Sequence, residues 1–250
     1  RLTSRSPLRE HHSNMELAVK NRLMKRTLLT TGPMSFSTLG TKPEPRTLTV
    51  SGGSISNTLD KAQPGDTVII PGGTYSETLY FRSAGVTRRN VPGEKVWIDG
   101  KRIIPTGIVL ENKPDTVIDG LFFRELSGTA GILINGGENI TVKRCFYDGR
   151  SQEYTPEFIR ANSVKYLTVE NCFITRGFWG SSFWRCPDLI IRNCVWVNNQ
   201  IQHLYIHNLP GEKATFTHNI VFDNVPMKIR NSLISCLNIE SLKEDTNCYY

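Results

Sequence analysis

Five segments of this chain align on one pattern: DTVIDGLFF (115–123), NITVKRCFY (139–147), YLTVENCFI (166–174), DLIIRNCVW (188–196) and, quoted one column late, ATFTHNIVF (214–222). The equivalent positions are Leu121, Cys145, Cys172, Cys194 and Asn219, which recur at a nearly regular spacing. Self-similarity at such a period is the mark of a solenoid, and it governs every local reading that follows. Within each unit apolar residues alternate, two polar residues intervene, and alternation resumes. That pattern describes two short strands joined by a tight corner. A period of two excludes helical solenoids and favours stacked β-coils. The Leu/Asn spacing of a leucine-rich repeat is absent.

Gly120, Asn171, Asn193 and His218 fall at the corner, where Gly and Asn tolerate left-handed geometry; Arg144 departs from this pattern. A third strand precedes each unit: GIVLE (107–111), GILIN (131–135), FIRAN (158–162), SFWRC (182–186), LYIHN (204–208) and MKIRN (227–231). Three strands per coil, with the hand set by the right-handed crossover rule, predict an all-β right-handed parallel β-helix of six to seven coils. Cys145, Cys172 and Cys194 then stack inward on successive coils. Parallel Cβ vectors make disulfides awkward, so the column is read as buried thiols. Cys186, Cys236 and Cys248 show no spacing that implies a zinc motif or disulfide framework.

Ahead of the repeat stands SGGSISNTLDKAQPGDTVIIPGGTYSETL (51–79), followed by VWIDG (96–100). With the repeat, these residues resemble the pectin-lyase-like right-handed parallel β-helix superfamily over roughly residues 47–235. The resemblance implies a short N-terminal capping helix near Ser54–Lys61, with Ile55, Leu59 and Ala62 facing the core, then a PGD turn, a first strand, a GTY turn and a second-coil strand. It implies the fold and not an activity, since the superfamily holds lyases, hydrolases, epimerases, tailspikes and adhesins.

Composition bears on partners. The 250 residues carry a net charge of +7, and residues 1–46 hold nine bases against three acids. These residues lack sustained periodicity and end in TKPEPR, so 1–46 read as a basic disordered leader and 47–250 as the β-helix domain. Met24–Leu29 resembles the start of an export signal, but Thr30, Thr31, Gly32 and Pro33 interrupt the apolar stretch. The remaining residues carry a net +1, and stacked strands offer no element that reads a nucleic-acid groove, so nucleic acid is not expected as a partner. No apolar run approaches eighteen residues, which excludes a membrane-spanning helix. After MKIRN the repeat blurs and no cap is recognisable. The expectation is a chain that continues further, or an end covered by its own residues or in an oligomer.

Ligand grooves in the superfamily usually lie along one stacked sheet, so the outward residues of the third-strand set are the candidates. Alternation places Val109 and Glu111, Leu133 and Asn135, Arg160 and Asn162, Tyr205 and His207, and Lys228 and Arg230 outward. In SFWRC either Trp184 or the pair Phe183/Arg185 faces out. Bases interleaved with aromatics suit an acidic polysaccharide, because guanidinium groups grip carboxylates and ring faces pack on sugars. By resemblance the protein is a secreted or cell-surface carbohydrate-active protein, most like a polysaccharide lyase. Lys228, Arg230, His207 and Arg160 are then catalytic candidates, with Arg185, Trp184, Tyr205, Asn135 and Glu111 binding substrate. The alternative is a non-catalytic glycan-binding or structural module.

No cofactor is expected except Ca²⁺, for which Glu111, Asn135 and Glu157 come nearest as oxygen donors. Hydrolysis would need paired carboxylates, and the paired Asp residues and Gly-His-Gly segment of the superfamily's hydrolases are absent. Asp119, Asp148 and Asp223 read as turn-capping residues. His203 and His207 share a strand face about 13 Å apart under strict alternation, too far for one metal ion.

Overall fold

The computed structural model describes residues 44–150, 156–223, 234–237 and 242–249. Its strands form three parallel sheets that the chain visits in turn. The first sheet has nine strands, running from Thr47–Thr49 and Thr67–Ile70 through Glu138–Lys143 to Leu242–Asp245. The second has eight, from Gly73–Tyr75 and Val96–Asp99 to Cys248–Tyr249. The third has seven: Leu79–Tyr80, Thr106–Glu111, Ala130–Asn135, Glu157–Asn162, Trp179–Trp184, Gln202–His207 and Ile234–Leu237. This is the parallel β-solenoid that the repeat predicted.

The corner between the first two sheets explains the repeat. Gly120, Arg144, Asn171, Asn193 and His218 all have φ between 51° and 72°, so the turn demands left-handed backbone whatever the side chain. Arg144 conforms despite its unfavourable type, and its guanidinium is held by Asp119 of the preceding coil. At Gly120 space is decisive as well: a Cβ there would lie 2.3 Å from Asn90 Oδ1.

Inside, like sits on like. Ile118, Val142, Val169, Ile191 and Phe216 are paired in register and buried. Phe123, Tyr147, Ile174, Trp196 and Val221 form a second buried column. Between them Cys145, Cys172 and Cys194 are buried free thiols, and burial pushes the Cys172 thiol well up. Asn219 follows in that column, and Asn247 repeats it one coil on, its Oδ1 accepting the Asn219 N–H at 2.9 Å. Asn219 Oδ1 accepts the Cys194 N–H at 2.9 Å and its Nδ2 donates to the Ile191 carbonyl at 3.1 Å.

The N-terminal end is covered by a one-turn helix, Ser56–Leu59, shorter than Ser54–Lys61. Ile55, Leu59 and Ala62 are buried beneath it. Glu77 accepts the N–H groups of Ile55 and Ser56 at 2.7 and 3.1 Å, which answers the donors a helix start leaves open.

At the C-terminal end the strand expected at MKIRN lies outside the described residues. Beside Gln202–His207 stands Ile234–Leu237, with Leu204 opposite Ile234. The coil from Leu204 to Ile234 is longer than those before it, so extrapolating the shorter period stopped short of the strand. Leu242–Asp245 and Cys248–Tyr249 continue the same coil onto the other two sheets.

Candidate functional site

On the third sheet Ile108/Leu110, Ile132/Ile134, Ile159/Ala161 and Leu204/Ile206 are buried, so the alternate residues face out. In register they form two columns. One runs Val109, Leu133, Arg160, Ser182, Tyr205; the other runs Glu111, Asn135, Asn162, Trp184, His207. The two orientations left open for 182–186 are thereby resolved: Phe183 is buried and Trp184 faces out. Arg185 lies just beyond the strand with φ 53° and is exposed, and its N–H donates to the His207 carbonyl at 2.7 Å. It therefore stands at the edge of the face and outside the Arg160 column.

Alternation slips where each strand begins. Phe158 and Ile159 are both buried, because Phe158 turns in against Phe123 and Tyr147, ring centroids 6.0 and 5.7 Å apart. Glu157 consequently emerges on the same side as Arg160. It accepts hydrogen bonds from Arg160 Nε at 3.1 Å and from Nη2, and the Ser182 hydroxyl donates to its other oxygen. The same slip buries His203 beside Leu204, so His203 and His207 do not share a face, contrary to the strict alternation. His203 is an interior residue: Asn199 accepts the Gly177 N–H on Oδ1, which turns its Nδ2 toward His203 Nδ1 at 2.9 Å.

These residues enclose a hollow of about 560 Å³ lined by Glu157, Arg160, Asn162, Trp179, Ser182, Trp184 and Tyr205. The Trp184 ring lies 5.1 Å from Tyr205 and 4.8 Å from His207, centroid to centroid, giving an aromatic wall beside the Arg160–Glu157 pair. His207 Nδ1 is buried without a hydrogen-bond partner among the described residues. Toward the N-terminal coils one outward column is polar, with Asn162 Nδ2 donating to Asn135 Oδ1 and Asn135 Nδ2 to Glu111 Oε1, both at 2.8 Å, and the other is apolar, with Leu133 and Val109.

Of the expected site residues, Arg160, Trp184 and Tyr205 meet in the hollow, and His207 stacks on its wall. Asn135 and Glu111 lie one and two coils away, linked through Asn162. Lys228 and Arg230 lie outside the described residues. Trp179 and Ser182 were missed, although carrying the Cys172-to-Cys194 interval over to the third sheet places Ser181 opposite Ile159 and would have aligned them. Glu157 was weighed only as a calcium ligand. The three calcium donors do not converge: Asn135 meets Glu111 through nitrogen, Glu157 faces Arg160, and about 16 Å of strand separates Glu157 from the level of Asn135. No group of three or more His, Cys, Asp or Glu suited to a metal ion occurs among the described residues.

Other carboxylates serve the coil. Asp148 accepts the Arg150 N–H at 3.0 Å, as a turn-capping residue does, and also binds Arg176 of the next coil. Of the described residues lining the hollow, only Glu157 is a carboxylate.

The fold and its hollow define a class: a three-sheet parallel β-solenoid carrying an aromatic and charged groove on one outer face. A family model described as "Right handed beta helix region" matches residues 98–240, and the chain belongs to that family. No curated protein matches the sequence. Among solved structures it is similar to the tailspike protein gp49 of Acinetobacter baumannii bacteriophage Fri1, a capsular polysaccharide depolymerase. The TM-score is 0.52 at 14% identity, over 67% of this chain and 36% of the tailspike. It also matches an alginate lyase from Paenibacillus sp. str. FPU-7, at TM-score 0.43 and 15% identity over 82% of this chain and 95% of that one. The PL6 family alginate lyase AlyGC matches at TM-score 0.42 and 14% identity, over 83% and 40%. This chain thus spans about a third of the tailspike's length, and these likenesses concern the fold.

Proposed function

We propose that the protein is a carbohydrate-active β-helix that acts outside the cell on an acidic polysaccharide, held along the outer face of the third sheet. The observation that carries this reading is the hollow itself: three aromatic side chains, Trp179, Trp184 and Tyr205, around a guanidinium on a rigid sheet. Ring faces pack on sugar C–H groups, and guanidinium groups bind carboxylates in fork geometry. The tailspike neighbour, a capsular polysaccharide depolymerase, agrees with a polysaccharide as ligand.

The reaction proposed is β-elimination. Arg160 and the exposed Arg185 neutralise a uronate carboxylate, which acidifies the neighbouring C5 proton. His207, stacked on Trp184 at the wall of the hollow, accepts that proton. The C4–O bond then breaks as the C4=C5 double bond forms, and the departing oxygen takes a proton from water. Lys228 and Arg230 remain candidates for the same work. A second reading, a glycan-binding module without chemistry, is favoured by one feature: the Arg160 guanidinium already binds Glu157.

The test is incubation with alginate, polygalacturonate and hyaluronan while following the ultraviolet absorbance of the unsaturated product. Elimination predicts a rise that His207→Ala abolishes and Trp184→Ala weakens chiefly through KM; Lys228→Ala and Arg230→Ala extend the test to those bases. Retention in affinity gels without any rise in absorbance sinks the lyase and leaves the binding module.

A further inference from the structure

Several arginines on the outer faces are clasped to a carboxylate, as Arg124 is to Asp99, Arg144 to Asp119 and Arg192 to Glu170. Arg89 and Lys95 make no ion pair among the described residues, and both are exposed. They share a hollow of about 400 Å³ with Glu94, Phe122 and Arg144 at the corner between the first and second sheets. Its one carboxylate among the described lining residues, Glu94, is already engaged by the Gly72 N–H. That neutral donor leaves Glu94 its charge, and with Arg144 paired to Asp119 the cations Arg89 and Lys95 outnumber it, so the net charge of the described lining is positive.

The wall is aromatic. Phe122 stands in a ring column on the outer face of the second sheet, 5.2 Å from Trp97 and 5.6 Å from Phe146, centroid to centroid. Gly120, also in the lining, presents no side chain, which keeps the space beside Asn90 clear. The hollow of the third sheet also sets rings beside a guanidinium, but there Arg160 is paired to Glu157, whereas Arg89 and Lys95 have no ion-pair partner among the described residues.

We propose that this hollow is a second binding site for acidic polysaccharide, where Arg89 and Lys95 hold a sugar carboxylate and the Phe122 ring packs on the sugar's C–H face. It rests on the reading that the ligand is an acidic polysaccharide. Its role is to hold a second stretch of polymer while the groove on the third sheet holds the first. Such two-point attachment strengthens binding of long chains far more than of short ones.

The experiment is affinity electrophoresis of the full chain in gels containing alginate or polygalacturonate, compared with short oligosaccharides of the same polymers by calorimetry. Three proteins are compared: wild type, Arg89→Glu/Lys95→Glu, and Trp184→Ala. The double variant is expected to bind polymer about tenfold more weakly, as loss of two solvent-exposed ionic contacts implies, while Trp184→Ala retains part of the retardation. Wild-type polymer affinity in the double variant, with binding lost in Trp184→Ala, overturns the second site and leaves the groove standing. Binding lost only in the double variant overturns the groove and leaves the second site. A wild type that binds none of the acidic polymers overturns both. The neutral pair Arg89→Gln/Lys95→Gln, with circular dichroism as a check on folding, keeps the test readable should charge reversal disturb the coil.

Discussion

The outer faces of the first and third sheets place arginine in opposite ways. On the first sheet one outward column reads Arg89, Asp119, Lys143, Glu170, Arg192, alternating in sign from coil to coil. Arg144 reaches back to Asp119 and Arg192 to Glu170, each bond closing one coil onto the previous one. The second sheet repeats the device with Arg124 on Asp99 and Arg176 on Asp148. On the third sheet Arg160 binds Glu157, three residues earlier on its own strand, and its column neighbours are Leu133 and Ser182. Charges that bridge coils tie that face together from Asp119 onward, leaving Arg89 at its N-terminal end without an ion pair among the described residues. Where the charges close within one rung, coils are bridged instead by the uncharged amides of Asn162 and Asn135 and the Ser182 hydroxyl and by the rings of Trp184, Tyr205 and His207.

The largest effect that can break this comparison is at Arg160. Its partner Glu157 keeps only 5% of its side-chain surface, whereas Arg160 keeps 42%. Arg160→Ala leaves a buried carboxylate with the Ser182 hydroxyl as its remaining side-chain donor, which costs about 2 kcal/mol after allowing for water at the exposed guanidinium. Urea unfolding measures it, and adding Glu157→Gln should recover most of the loss. A cost below about 0.5 kcal/mol would make this pair no different from a surface clasp.

Next in size is Asp148, which is buried and serves two donors, the Arg150 N–H and the Arg176 guanidinium. Asp148→Ala should cost about 1–2 kcal/mol by the same measurement. The clasp at the N-terminal end gives a pH test. Hydrogen bonds from Arg46 hold the Asp66 carboxyl at about 2, below its ordinary 3.8. A carboxyl lowered by folding stabilises the protein fully above its unfolded pKa, and loses that contribution as pH falls through the folded one. Unfolding free energy should therefore decline between about pH 4 and about pH 2, and Asp66→Asn should flatten that part of the profile.

The repeat made the fold legible because a period of two and a recurring left-handed corner are local properties, written wherever the backbone needs them. Ile132, Ile159 and Leu204 were assignable to the interior, and Arg160, Tyr205 and His207 to the outer face, for that reason. What escaped was non-periodic. Glu157 and His203 sit at the slip where Phe158, Ile159, His203 and Leu204 are all buried, and two consecutive inward residues are invisible to an alternation rule. Ser182 and Trp179 escaped because the coil from Ile159 to Ser181 is shorter than the one before it, from Ile132 to Ile159. The pairing of arginines was also illegible, since Arg160 and Arg192 look alike in sequence and differ only in whether the acid lies beside them or one coil away.

That last difference defines the smallest effect. Arg192 donates to Glu170 through both Nε and Nη2, at 2.9 and 2.6 Å, yet half of its side chain is exposed. Both bonds fall on one oxygen, Oε2, and such a pair in water gains little, because solvent screens the charges and two long side chains must be ordered. A double-mutant cycle with Glu170→Gln and Arg192→Gln should give a coupling of about 0.5 kcal/mol. The sharper reading comes from salt. Near 1 M the screening length falls to about 3 Å, so the Glu170–Arg192 coupling should vanish, while the coupling of buried Glu157 to Arg160 should keep most of its size. If both couplings faded together, Glu157 would be as wet as Glu170, and the third sheet would be one more clasped wall.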